Sequence, residues 1–301
     1  VRSLSKTAVL VALAATLPGT AHGAAPAAGL KYQRTIYSDA ADVALRRPEG
    51  VACDDRGAVV VADTGNARLL VFTWKDGALD AGTQVKLAQL PYPVRVQIDS
   101  KGFVLALDRR ARRIVRVDAK GAFAGYLEPQ GASSNPVTPA AFRLDAADNA
   151  YVLDVVAGKV LVVSAEGKVT RELPLPKASG LTDVAVDASG RIYLVDAVTA
   201  VVFAADPKAT AFQPLSTSLK ELINFPAYLT PDNRGKLYLV DQNGNAVVKL
   251  GVDGTFLGRE LAMGWDDGAV YYPAQLCIDA GGDAFLADRN NNRVQIFQLP
   301  R

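Results

Sequence analysis

Two aspartates nine positions apart recur along this chain as Asp54/Asp63, Asp99/Asp108, Asp145/Asp154, Asp187/Asp196, Asp232/Asp241 and Asp279/Asp288. Carboxylates at fixed spacing could ligate calcium or carry out acid–base chemistry. A function unique to one site does not recur in every unit, so a structural role is expected for them. The first aspartate of each pair opens a tight turn, where a short carboxylate accepts backbone N–H groups. The second ends an apolar run. Arg68, Arg113 and Arg293, with Lys159 in the third unit, follow it by five residues and are placed to strap the next turn or the neighbouring unit.

Other chemistry is narrowed by one residue type. His22 is the only histidine, and it lies in "VRSLSKTAVLVALAATLPGTAHG", where Arg2 and Lys6 precede an apolar run that ends in small residues. That is the layout of a secretory signal peptide, the run being too short for a stable membrane anchor. Residues 1–23 are therefore expected to be removed, residues 24–30 to form a linker, and residues 31–301 to form a single domain. A Val at position 1 is what an alternative start codon of a bacterial gene would yield. Without His22 the remaining chain has no Ser/His or Cys/His nucleophile pair and no histidine-ligated zinc. Loss of Arg2 and Lys6 also brings 33 basic residues down to 31, equal to the 31 acidic ones. A near-neutral product argues against general polyanion binding, and no nucleic-acid partner is expected.

The aspartates belong to units starting at Pro48, Pro93, Pro139, Leu181, Pro226 and Pro273, a period of 42 to 47 residues. Each unit reads as a short apolar strand, a polar turn, a strand apolar on both faces ("AVVVAD", "RIYLVD", "KLYLVD"), a third strand ("RLLVF", "RVQIF"), a Gly-bearing hairpin and a less regular fourth strand. Strands apolar on both faces need cover on both sides, which four-stranded sheets stacked around an axis provide. The sixth unit ends after its third strand, and "KYQRTIY" (31–37) precedes the first unit unassigned. It is predicted to pair with residues 293–298, so that the last sheet holds both ends of the chain and the seam is closed.

The stretches "PEGVACDDRGAVVVADTGNARLLVF" and "PAQLCIDAGGDAFLADRNNNRVQIF" carry the Asp, Asn and Arg positions of the NHL repeat, and the chain resembles that family over residues 31–301. The resemblance implies an all-β fold, a six-bladed β-propeller of four-stranded antiparallel blades. Ala111, Ala157, Thr199 and Gly244 stand where the family has Asn. The family's enzymes that cleave amidated-peptide precursors or streptogramins lean on histidines that this sequence lacks.

In such a ring, function is expected in loops that differ between units. Connections entering each first strand, and those between second and third strands, emerge on one face around the channel mouth. They place Arg47, Tyr92, Arg95, Asp183, Tyr228 and Tyr272, and then Arg109, Arg110, Gln242 and Arg289, as ligand- or partner-binding candidates. The second unit is the most unusual: "DRRARRIVR" packs Arg109, Arg110, Arg112, Arg113 and Arg116 together, which suits a carboxylate, a phosphate or an acidic surface. Three long loops should crowd the same face. Ser218 and Glu221 stand at capping-box spacing for a helical turn or two, and Trp265 reads either as core or as part of a recognition surface. Cys53 and Cys277 lie in first strands that become neighbours on closure, so they could form a disulfide if their Cα atoms come within about 7 Å; the alternative is two buried thiols acting as small apolar residues.

These readings point to an exported, non-enzymatic binding or scaffold module, periplasmic or extracellular, for a protein or a small polar or anionic ligand of the cell envelope. No integral membrane span is expected in the mature chain. The alternative is a calcium-dependent propeller hydrolase, lactonase or lyase. No cofactor is expected in the first case; in the second, Ca2+ would draw oxygen ligands from around Asp183, Asn243 or Glu49. An accessory of a larger envelope assembly is a third reading, and no haem-attachment motif is present.

Overall fold

The computed structural model describes residues 29–134, 136–178 and 180–300. The segment expected to be a signal peptide and most of the linker lie outside the described residues. Among those described, no helix is long and apolar enough to cross a membrane.

Six antiparallel sheets form, one per repeat. Blade 2 runs Pro93–Ile98, Val104–Asp108, Arg113–Val117 and Phe123–Tyr126 from the axis outward, and blades 3 to 5 repeat the order. In blade 1 the outermost place is divided between Ala78–Leu79 and Thr83–Val85, because its third strand, Arg68–Lys75, is long enough to pair with both. First strands of consecutive blades pack against one another all the way round, including Gly50–Cys53 of blade 1 against Pro273–Ile278 of blade 6. The ring is closed.

The closure joins the predicted pair of segments. Lys31–Ile36 pairs antiparallel with Arg293–Gln298, with Lys31 opposite Gln298 and Ile36 opposite Val294. Tyr32 meets Phe297 edge-on at 6.2 Å between ring centroids. Second strands such as Val104–Asp108 and Ala150–Asp154 are buried along their whole length, as strands covered by a sheet on each side must be. Cys53 and Cys277 are joined in a disulfide across the seam, with Cα atoms 5.9 Å apart.

The lower-turn aspartates accept the N–H groups two and four residues on: Arg56 and Ala58 for Asp54, Lys101 and Phe103 for Asp99, Ser189 and Arg191 for Asp187. The strand-end aspartates are fully buried. They reach back to the chain entering the blade's own first strand, as Asp108 does to Tyr92 N and Asp154 to Thr138 N. The basic partners behave less uniformly than their spacing suggests. Arg68 and Arg293 pair with Asp63 and Asp288, but Arg113 pairs with Glu128 and Lys159 with Glu172, outer-strand or loop carboxylates of their own blades.

Candidate functional site

Each upper turn between second and third strands places one residue in the left-handed region: Ala67, Arg112, Ala200, Asn245 and Asn292, with Gly158 in blade 3. An L-residue held there costs roughly 1 kcal/mol, and the recurrence shows that the turn geometry, not the residue, sets the conformation. In blade 2 this turn lifts Arg109, Arg110 and Arg112 to the mouth of the channel. Arg109 and Arg112 line a funnel of about 460 Å³ there, together with Arg95, Arg289 and the single carboxylate Glu49.

The funnel has a floor. From the first strand of blade 2, Arg95 crosses the channel to blade 4, where Nη1 donates to Asp183 Oδ1 at 2.7 Å and Nη2 to the Thr182 carbonyl at 2.7 Å. Its guanidinium lies 4.4 Å above the Tyr228 ring. The other oxygen of Asp183 accepts Leu229 N–H at 2.8 Å. Burial pushes the Asp183 carboxyl above its usual range, while Arg95 and that N–H pull it down. Burial likewise pushes Tyr228 up to about 12. A second crossbar joins blade 6 to blade 2, Gln275 exchanging hydrogen bonds with Val96 at 3.0 and 3.3 Å. It passes blade 1 because Gly50 has no side chain: a Cβ there would stand 3.2 Å from both Gln275 Oε1 and Arg95 Cα.

Above the floor, Glu49 is nearly inaccessible, yet two arginines hold it: Arg109 Nη2 at 3.0 Å and Arg289 Nε at 3.1 Å. Arg289 also lies 5.3 Å over the Tyr272 ring. Arg109 remains 58% exposed, so its remaining N–H groups face water. Among the described residues no group of three or more His, Cys, Asp or Glu could hold a metal ion. Glu49 and Asp183 are each occupied by guanidinium, and Asn243 is not among the funnel residues. These three do not form a ring of free oxygen ligands.

Of the residues picked out in the sequence, Arg95, Arg109, Tyr228, Gln242, Tyr272 and Arg289 line the funnel. Asp183 sits behind Arg95 as its counter-ion. Arg47, Tyr92 and Arg110 do not line it: Arg110 stacks on Tyr92 at 5.0 Å, and Arg47 is exposed with its N–H on Asn292 Oδ1. Trp265 is 71% exposed rather than part of the core. The loop 216–225 makes one turn, not a helix: Ser218 Oγ donates to Thr199 O, while Leu219 O accepts from Leu222 and Ile223. Val94, Leu107, Val155 and Val156 also line the funnel. Sequence reasoning passed over them because apolar residues carry no signal of a site until their exposure is known.

The fold and its floored funnel define a six-bladed β-propeller with a cavity at one end of its axis. The NHL repeat model matches residues 45–72 and 270–297, in the first and sixth units, and over those two stretches the chain is similar to that family. Mouse NHL repeat-containing protein 3 is 33% identical over 93 residues, 30% of this chain and 25% of that protein; the human protein is 30% identical over the same length. The match thus spans about a quarter of these curated relatives. Among solved structures, a gluconolactonase from Xanthomonas campestris superposes with a TM-score of 0.68 at 14% identity, covering 93% of this chain and 99% of the other. Virginiamycin B lyase from Staphylococcus aureus superposes with a TM-score of 0.65 at 13% identity, covering 89% and 99%. At such identities the likeness is one of fold alone.

Proposed function

We propose that this chain is an exported, non-enzymatic binding module that takes a small anionic ligand, or an anionic group on a partner protein, into its funnel. The observation that carries the reading is the charge of the lining: four arginines surround the cavity, and the one lining carboxylate, Glu49, is already shared by two of them. A cationic surface of this kind at the mouth of a channel gains most from a ligand that brings its own negative charge. Both carboxylates at the site are held by guanidinium, which leaves no free general base, and a rigid ring of sheets suits presentation of a fixed surface. The Cys53–Cys277 disulfide favours an oxidising compartment, in keeping with the signal-like N-terminus.

The reading is tested by thermal-shift screening of the protein against carboxylates, phosphates and neutral sugars at constant ionic strength. Stabilisation confined to anions, and lost on Arg109→Glu with Arg112→Glu, supports it. Equal stabilisation by neutral sugars, or anion stabilisation indifferent to that double substitution, would remove the funnel from the account.

A further inference from the structure

The funnel is not uniformly lined. Three of its four guanidiniums come from one half of the ring, Arg109 and Arg112 from blade 2 and Arg289 from blade 6, with Glu49 of blade 1 between them, while the fourth, that of Arg95, is tied to Asp183 across the floor. The opposite half supplies Val155 and Val156 from blade 3 and Phe225 from the loop entering blade 5. Val156 is 72% exposed and Val155 45% exposed. Large apolar side chains left in water beside a cavity gain roughly 25 cal/mol for each Å² a ligand covers.

The charged half already shows what it accommodates. Arg109 and Arg289 flank blade 1 and grip one carboxylate, each through a single nitrogen and one oxygen apiece. The separation of the two guanidiniums is therefore that of a bridging carboxylate. Glu49 reaches them from inside the protein, and the free N–H groups of Arg109 face the cavity. At about 460 Å³, the funnel is within the range of roughly 300–1,000 Å³ typical of small-molecule sites.

We propose that the ligand is an amphipathic carboxylate, its head bridging Arg109 and Arg289 and its apolar body lying on Val155, Val156 and Phe225, with Glu49 as the internal competitor that sets the affinity. This rests on the funnel being an anion site. An amphipathic carboxylate fits better than a free small anion because the guanidinium on the far side, that of Arg95, is already paired with Asp183, while Val155, Val156 and Phe225 gain from being covered. No covalent step is involved.

Calorimetric titration of the full chain with acetate, hexanoate, octanoate, 1-octanol and inorganic phosphate tests the proposal. Affinity is expected to rise about fourfold per added methylene until the funnel is filled, with octanol at least about tenfold weaker than octanoate. Arg109→Gln with Arg289→Gln should weaken octanoate binding by about tenfold or more. Glu49→Gln, which keeps the shape and removes the competing charge, should strengthen it. Acetate or phosphate binding as tightly as octanoate would overturn the amphipathic ligand and leave the anion site standing. Octanol binding as tightly as octanoate, or no binding by any of the five, would overturn both. If the double variant does not fold, Glu49→Gln decides: unchanged or weaker octanoate binding contradicts the bridging head group.

Discussion

Blade 6 and blade 2 contain the same strand-end aspartate and the same basic residue five positions later, and they use them in opposite ways. In blade 6, Asp288 holds Arg293 at 2.8 Å in a site closed to solvent, with Asn291 and Gln295 completing the carboxylate's shell. In blade 2, Asp108 spends its oxygens on the backbone N–H groups of Tyr92, Arg110 and Ala111. Arg113 turns away to Glu128 and lies 3.3 Å above Tyr126. The carboxylate is a backbone strap wherever it occurs, and the guanidinium is an optional addition. Where blade 6 packs a turn of Asn side chains, blade 2 carries arginines, and those define the mouth.

The contrast is broken most severely at the seam. Asp288→Asn takes from Arg293 its buried counter-ion, leaving only the half-exposed Asp267 at 3.4 Å, and is expected to cost about 3 kcal/mol, whereas Asp154→Asn in blade 3, whose carboxylate bonds only backbone N–H groups, should cost about 1–2 kcal/mol. Urea unfolding of the two variants measures both, and equal losses would mean the guanidinium adds nothing. Second in size is the disulfide. Cys53→Ser with Cys277→Ser opens a loop of 224 residues' separation and should lower stability by about 2–4 kcal/mol; an unchanged unfolding midpoint would show that strand pairing alone holds the seam.

Smaller effects separate the middle blades from one another. Glu172 accepts Ser133 N–H and Oγ–H and faces Lys159, and these hydrogen bonds, chiefly those from Ser133, hold its carboxyl down at about 2. Its folded value lies below its unfolded one. The stabilisation is therefore complete above the ordinary glutamate range and is lost as pH falls toward 2. Glu172→Gln should cost about 1–2 kcal/mol at neutral pH and almost nothing near pH 2, a difference that acid-dependent unfolding curves would expose. Glu128, on the exposed Arg113 pair of blade 2, should give less than about 0.5 kcal/mol when changed to Gln. Calcium stands last: melting curves in calcium and in EDTA should superimpose, and a clear shift would revive an ion-dependent site.

Much of this contrast was legible in the residues themselves. The nine-residue spacing identified the straps, and the absence of a fourth strand after Gln298 located the partner of Lys31–Ile36. Every such inference used order along one chain. What escaped were pairings across the axis. Nothing near Arg95 announces that Asp183, 88 positions on, faces it through the channel, and Glu49 looks like an ordinary residue before a strand until arginines from two flanking blades close on it. Arg113 and Lys159 misled for a related reason. Spacing gives reach but not preference, and a nearby carboxylate on the outer edge of the same blade can outcompete one already saturated by backbone N–H groups.

The central claim, that one set of arginines holds the ring and another serves the ligand, is most directly tested by measuring unfolding free energy and octanoate affinity together for Arg68→Gln and Arg109→Gln. Arg68, which binds Asp63 and Gln84 of blade 1 and Asp39 of the segment leading into it, should lose about 3–5 kcal/mol of stability while the folded variant binds octanoate as before. Arg109→Gln should unfold at the wild-type denaturant concentration and bind at least about tenfold more weakly. Both substitutions moving the same quantity by similar amounts would contradict the division.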